Sequence, residues 1–370
     1  MPASRSTLRR SLTAVAATSL LVGALGACGY GSQAKAQDKT VPVARGEKVG
    51  GLDEVKIGYF ANVTHATALV GLQEGVFQKE LGGTRVKAQV FNAGPSEIEA
   101  LNARAIDIGW IGPSPAVNGF SRSKGQNLRI IGGSASGGVS LVVHADRIKS
   151  LDDLKGKRLA TPQLGNTQDV ALLNYLSGKG HRVEASTGKG DVTVLRQDNK
   201  EIPLSFKSGA IDGAWVPEPT ASKLVADGGT VLLDEKKLWK DEKFVITNII
   251  VRQEFLDQHP DVVEAVLRGS VKTNAWIKAN PDKAKASVNA KLKADSGKEL
   301  PAQVLDRAFR NVEVIDDPLA STLREQALHA QKAGLLKDPL LDGIYDLRPL
   351  KKVLGTAGGP TVEDAGLGVK

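Results

Sequence analysis

The 370-residue chain has one cysteine, one methionine and five histidines, and aromatic residues make up only 4% of it. A single cysteine excludes a disulfide framework and leaves no second thiol for a zinc or redox pair. The histidines, His65, His144, His181, His259 and His329, are far apart, with no His-Glu-x-x-His or other metal spacing. No Gly-x-Ser-x-Gly elbow and no phosphate-binding glycine loop occurs. No cofactor or metal is therefore expected. Basic residues outnumber acidic ones by 49 to 41, a formal charge of +8, but they are scattered and not interleaved with aromatics. That pattern argues against a nucleic-acid partner. Long apolar runs are also missing: the one uncharged stretch, residues 11–27, is short for a membrane span.

That stretch follows Arg5, Arg9 and Arg10 and has the form of a secretory signal, residues 1–27. Leu25, Gly26, Ala27 and Cys28 resemble a bacterial lipobox, in which Cys28 becomes the lipidated first residue of the mature chain. Removal of the signal leaves 46 basic and 41 acidic residues, a formal charge of +5. Residues 28–51 are polar and aperiodic, as expected of a flexible tether to the membrane. Residues 355–370 are equally shapeless and expected to be disordered. About 300 residues remain, enough for two lobes with proper cores.

A near-repeat organises this body. Ala105, Ile106, Asp107, Trp110 and Ile111 recur 105 residues later as Ala210, Ile211, Asp212, Trp215 and Val216, each set running into a proline-containing turn. One recurrence at that distance points to two similar lobes with a cleft between them rather than a stacked array. The alternative is that strand-turn-helix units within one α/β domain look alike by composition. Apolar strands alternate with helices from Val55 onward, and from Pro260 to about Leu336 the pattern is helical. Strands are expected at residues 128–131 and 139–144, separated by the glycine-rich segment 132–138, which must let the backbone approach something closely or must bend. The fold class is α/β, with two lobes and a helical C-terminal region.

Four loops follow strands and open helices: residues 62–65, 112–114, 163–168 and 217–219. All are rich in Gly, Ser, Thr, Asn or Pro. Helix N-termini carry unpaired N–H groups and partial positive charge, so several aimed at one cleft form an anion site without a buried cation. Each loop taken singly is also compatible with ordinary helix capping.

Val55-Lys-Ile-Gly-Tyr-Phe60, Gly112-Pro-Ser-Pro115, Leu151-Asp-Asp-Leu-Lys-Gly-Lys157, Pro162-Gln-Leu-Gly-Asn-Thr-Gln168, Trp215-Val-Pro-Glu-Pro219 and Ile250-Val-Arg252 together resemble the extracytoplasmic solute-binding proteins of ABC importers for alkanesulfonates, taurine and nitrate. The resemblance covers residues 55–279 and, more loosely, extends to residue 354. It implies a type II periplasmic-binding-protein fold, with two Rossmann-like lobes joined by two crossing strands near residues 138–144 and 244–251. Lobe 1 would comprise residues 52–140 and 249–354, and lobe 2 residues 141–248. Carried over position by position, it implies that Gly112, Pro113 and Ser114 receive the anionic head, with Gly165, Asn166 and Thr167 opposite. Asn62 and His65 would line the first loop, His65 alternatively capping the helix that follows. Gly137 would offer an N–H near a crossing. Trp215 would form an apolar wall, or else be a core residue like Trp110. Glu218 would pair with the ammonium of a zwitterion such as taurine, or else point to water from the first turn of its helix.

The implied function is capture of a small organic anion, an aliphatic sulfonate first, then taurine, nitrate or bicarbonate, for delivery to a permease with a separate ATPase. A monomer is expected. The competing class is a lipid-anchored hydrolase, but a general acid/base pair is not indicated, because only Glu218 among the carboxylates falls in a cleft loop.

Overall fold

The computed structural model describes residues 44–370; the signal segment and Cys28 lie outside the described residues. Eleven strands form two sheets. In chain order they are β1 (Glu54–Phe60), β2 (Arg85–Phe91), β3 (Ile108–Ile111), β4 (Leu128–Gly137), β5 (Val139–Val143), β6 (Arg158–Thr161), β7 (Thr193–Arg196), β8 (Gly213–Pro217), β9 (Thr230–Asp234), β10 (Val245–Arg252) and β11 (Val312–Val314). The first sheet has the order β11-β4-β10-β3-β1-β2 and the second β7-β6-β8-β5-β9. In each, three parallel strands adjoin an antiparallel fourth, β10 beside β3 and β5 beside β8. The chain passes from the first sheet to the second between Gly137 and Val139, and β10 brings it back. Helices from Gln253–Gln258 to Arg348–Thr356 follow β10.

The sequence repeat is a repeat of structure. Asp107 Oδ2 accepts from Lys56 N at 3.0 Å and its Oδ1 from Arg252 Nη2 at 2.9 Å. Asp212 Oδ2 accepts from Arg158 N at 2.8 Å, and its Oδ1 from Arg147 and Arg158, both at 2.9 Å. Each aspartate thus pins the start of a parallel strand beside its own. Burial pushes Asp212 upward, but hydrogen bonds from Arg158 and Arg147 outweigh it and hold the carboxyl down at about 2. Trp110 and Trp215 are both fully buried in the cores of their lobes.

Three expectations are corrected. Residues 132–137 do not separate two strands but continue β4, because both faces are tightly packed: a Cβ on Gly133 would lie 2.2 Å from the Asp317 carbonyl. Glycine's positive φ is needed only at the crossing, where Gly137 and Gly138 have φ of 74° and 72°. The tail is ordered as well. Val362 and Leu367 are fully buried, and Val369 N donates to the Tyr345 carbonyl at 2.8 Å. The end of the supposed tether is docked, with Arg45 N donating to the Gly82 carbonyl at 3.1 Å and Val49 N to Thr84 Oγ1 at 3.0 Å. Both segments owe their order to partners far along the chain, which local composition does not display. Among the described residues no helix is long and apolar enough to cross a membrane, and no cluster of His, Cys, Asp or Glu could hold a metal.

Glu97, on the Gly94–Asn102 helix, is fully buried over Gly58 and Gly109, with no partner for either carboxylate oxygen. Burial raises its pKa well above 4.5, so the native state keeps a proton that the unfolded chain gives up above about pH 4.5. Its contribution to stability therefore declines as pH rises through that window. Denaturant titrations of Glu97→Gln should show the variant gaining on the wild type as pH rises above about 4.5, as its amide cannot ionise. A difference independent of pH would show that Glu97 does not titrate on unfolding.

Candidate functional site

Open α/β sheets bind ligands beyond the carboxyl ends of their parallel strands, and here all six such ends reach one cleft. From the first lobe come Phe60, Asn62 and His65 after β1, Asn92 and Gly94 after β2, and Gly112 after β3. From the second come Asn166, Thr167 and Gln168 after β6, Asn199 after β7, and Pro217 at the end of β8. Ile246 of β10 lies between them, and the lobes approach so closely here that the cleft leaves only about 20 Å³ of free volume, about one water's worth.

Among the described residues, no Lys, Arg, Asp or Glu lines this cleft. The second-lobe wall is the start of the Thr167–Gly178 helix, with Asn166 as its N-cap accepting from Asp169 N at 2.9 Å. The first-turn N–H groups of that helix supply the local positive potential. Thr167 Oγ1 is buried without a protein partner. It sits so close to Gly112 that a Cβ there would be 2.3 Å away. The lobes also touch where Asn92 Nδ2 donates to Asp198 Oδ2 at 3.3 Å and Val63 N to the Glu218 carbonyl at 3.2 Å.

His65 is buried, its ring 4.4 Å from that of Phe60, and makes no side-chain cap. Nδ1 lies 2.7 Å from Asn62 Oδ1 and Nε2 3.0 Å from the Trp110 carbonyl. Burial drives its pKa down to about 3, against the raising effect of the Trp110 hydrogen bond.

Of the residues proposed from sequence, Asn62, His65, Gly112, Asn166 and Thr167 line the cleft; the others do not. Pro113 and Ser114 lie in the first turn of the Pro113–Arg122 helix, with Ser114 Oγ buried and unpartnered. Two prolines there, Pro113 and Pro115, remove two N–H groups, so this helix start is a poorer donor than its sequence position suggests. Gly165 turns its loop at φ 74° and donates its N–H to Asp169 Oδ2 at 2.9 Å. Gly137 serves the crossing. Trp215 faces the second-lobe core, its ring centroid 5.4 Å from that of Tyr175 and its Nε1 donating to Glu235 Oε2 at 2.7 Å.

Glu218 fits neither expectation. Its side chain is buried, with Oε1 accepting from Asn311 Nδ2 at 2.7 Å and Oε2 from Ser222 N at 3.0 Å. Burial raises its pKa despite those bonds. It is a brace between the lobes, not a wall of the cleft. Asn92, Gln168 and Asn199 were missed, although Asn92 and Asn199 stand just beyond strands β2 and β7, where the strand-end rule would have found them.

The fold and this cleft define a two-lobed solute-binding protein of the type II periplasmic class. The chain belongs to the NMT1-like family, whose model matches residues 50–292. It is 29% identical over 215 residues to the taurine-binding periplasmic protein of Escherichia coli K12, covering 58% of this chain and 64% of that one. Two solved structures share the fold. The alkanesulfonate-binding protein SsuA of Xanthomonas axonopodis pv. citri, bound to MOPS, matches with a TM-score of 0.63 and 22% identity over 77% of this chain and 95% of its own. The periplasmic nitrate-binding protein NrtA of Synechocystis PCC 6803 matches with a TM-score of 0.62 and 17% identity over 78% and 83%.

Gly112→Ala should weaken ligand binding by about tenfold or more, about 1.4 kcal/mol, because the new Cβ would lie 2.3 Å from Thr167 Oγ1 across the cleft. Calorimetric titration beside a melting curve separates this from misfolding. Unchanged affinity would mean that the approach of Gly112 to Thr167 is not part of the bound state.

Proposed function

We propose that this chain is the solute receptor of an ABC importer, anchored outside the cytoplasmic membrane through Cys28, and that its ligand is a small aliphatic sulfonate passed to a permease driven by a separate ATPase. One observation carries the choice of ligand: six strand ends from two lobes meet in a cleft that has a helix start and amide side chains but no carboxylate. A carboxylate would repel the anionic head, and its absence leaves the ammonium of taurine without a counter-charge. With Glu218 committed to Asn311 and Ser222, a sulfonate with an uncharged tail fits better than taurine. Phe60, Pro217 and Ile246 give that tail apolar contact, which nitrate or bicarbonate would not use.

A hydrolase fits less well. Among the described residues, the only titratable side chain on the cleft wall is His65, and burial keeps it a weak base near pH 7. Thr167 Oγ1, the buried hydroxyl on the opposite wall, has no hydrogen-bonded base to activate it.

Titration with ethanesulfonate, taurine, nitrate, bicarbonate and sulfate, in buffers free of sulfonic acids, tests the assignment. Ethanesulfonate should bind at roughly micromolar Kd, about −8 kcal/mol, and taurine at least several-fold more weakly. Binding of taurine in preference to ethanesulfonate would overturn the ligand choice, and no binding of any small anion would overturn the receptor function.

A further inference from the structure

A second cavity lies toward the C-terminal end of the helix whose start forms the cleft wall, and it shares no lining residue with the cleft. Its free volume is about 250 Å³, close to the lower end, about 300 Å³, of ordinary small-molecule sites. Asn174, Tyr175 and Gly178 reach it from one face of the Thr167–Gly178 helix. Trp215 comes from β8, Glu235 and Trp239 from the turn after β9, and Glu325 and His329 from the Ala320–Lys332 helix.

In a chain of which aromatic residues make up only 4%, Tyr175, Trp215 and Trp239 gather at this one cavity with the His329 ring. The ring centroids of Tyr175 and Trp215 are 5.4 Å apart at 47°, and those of Trp239 and His329 are 5.4 Å apart at 50°. Neither pair is stacked flat. The faces of such rings carry negative charge and attract cations. Glu235 stands at both indoles: Trp215 Nε1 donates to Oε2 at 2.7 Å, and Trp239 also hydrogen-bonds the carboxyl. Those donors bring no positive charge. Burial raises the pKa of Glu235 to about 7 against the two indole bonds, and the charge acting on it among the described residues is the like charge of Asp234. A buried acid without a counter-charge is costly, so a ligand that supplies one is favoured.

The rest of the wall points the same way. Glu325 is exposed at the rim, and its neighbour His329, 3.7 Å away, is kept neutral by burial, which lowers its pKa to about 4. Among the described residues Lys179 is the one cation lining the cavity; its ammonium lies 5.8 Å from the centroid of the Tyr175 ring and pairs with neither carboxylate. Tyr175 is only 9% exposed, and its hydroxyl has no protein partner. An anion entering here would meet two carboxylates. A metal ion would lack ligands, since no group of three His, Cys, Asp or Glu able to hold one occurs among the described residues.

We propose that this cavity is a second ligand site, independent of the cleft, that takes a small organic ammonium ion, with Glu235 as its counter-charge and Tyr175, Trp215 and Trp239 as its aromatic walls.

Tryptophan fluorescence and calorimetric titration of the whole protein with tetramethylammonium and choline chloride provide the test. Sodium chloride at equal ionic strength and dimethylbutanol, the uncharged carbon analogue of choline, are the controls. Both ammonium ions should bind, and choline about tenfold more tightly than its uncharged analogue, the margin expected of a cation held against desolvated aromatic rings. Glu235→Gln keeps an acceptor for Trp215 but removes the charge, and should weaken choline by a similar factor while leaving the alcohol unaffected. Gly178→Arg adds a tethered cation at a position where a new Cβ meets nothing within 4 Å. It should block choline and leave the melting temperature and the binding of ethanesulfonate unchanged. Equal binding of choline and the alcohol overturns the proposal, as does the absence of a response to either ammonium ion, or choline binding that neither variant weakens. If Glu235→Gln does not fold, Gly178→Arg decides. Ethanesulfonate binding is read separately at the cleft, so failure of this site leaves the receptor assignment standing.

Discussion

Glu218 ties together four segments at the waist of the molecule. Its N–H donates to the Gly138 carbonyl at the crossing, and its own carbonyl accepts from Val63 in the first-lobe loop. One carboxylate oxygen holds Asn311, just before β11, and the other caps Ser222 in the second-lobe helix. A buried carboxylate is costly, and here the cost is offset by hydrogen bonds that reach both lobes. Because Pro217 lines the cleft and Glu218 follows it directly, displacement of the ligand wall and movement at the crossing are mechanically joined.

The division into two similar lobes was legible in the sequence because Asp107 and Asp212 have the same job. Each must bond the N–H of a neighbouring strand while an arginine from another segment neutralises it, and few residue types satisfy both demands. The strand ends were legible for a related reason: loops that open helices need Asn, Ser, Thr or Gly. Asn62, Gly112, Asn166 and Thr167 followed from that alone.

What the sequence hid was direction. Trp215 lies on a strand buried on both faces, where apolar periodicity does not say which side looks toward the cleft, and it turns to Tyr175 and Glu235. A place in the first turn of a helix suggested that Glu218 points to water, yet its partner is 93 residues away at Asn311. The glycines of β4 announced a close approach or a bend, but not that they lie within a strand, nor that the approaching residue is Asp317, far along the chain. Residues 357–370 show no helical or strand period and are held by Tyr345 through pairing that no local pattern announces. In each case a long-range contact overrode local composition.

A receptor must release what it captures, and this cleft is built for that. Fixed arginines or lysines would bind an anion strongly in the open and closed forms alike, and a ligand with equal affinity for two states shifts neither. Here the donors are divided between lobes, with the Thr167 helix start on one and the Asn62 loop on the other, and they converge where Gly112 meets Thr167. Contacts available only after closure give the ligand a differential affinity for the closed form, and that difference is what drives the hinge. When the lobes part, the anion loses one set of donors at once and retains no permanent counter-charge on the cleft wall. Its binding free energy then collapses with the geometry.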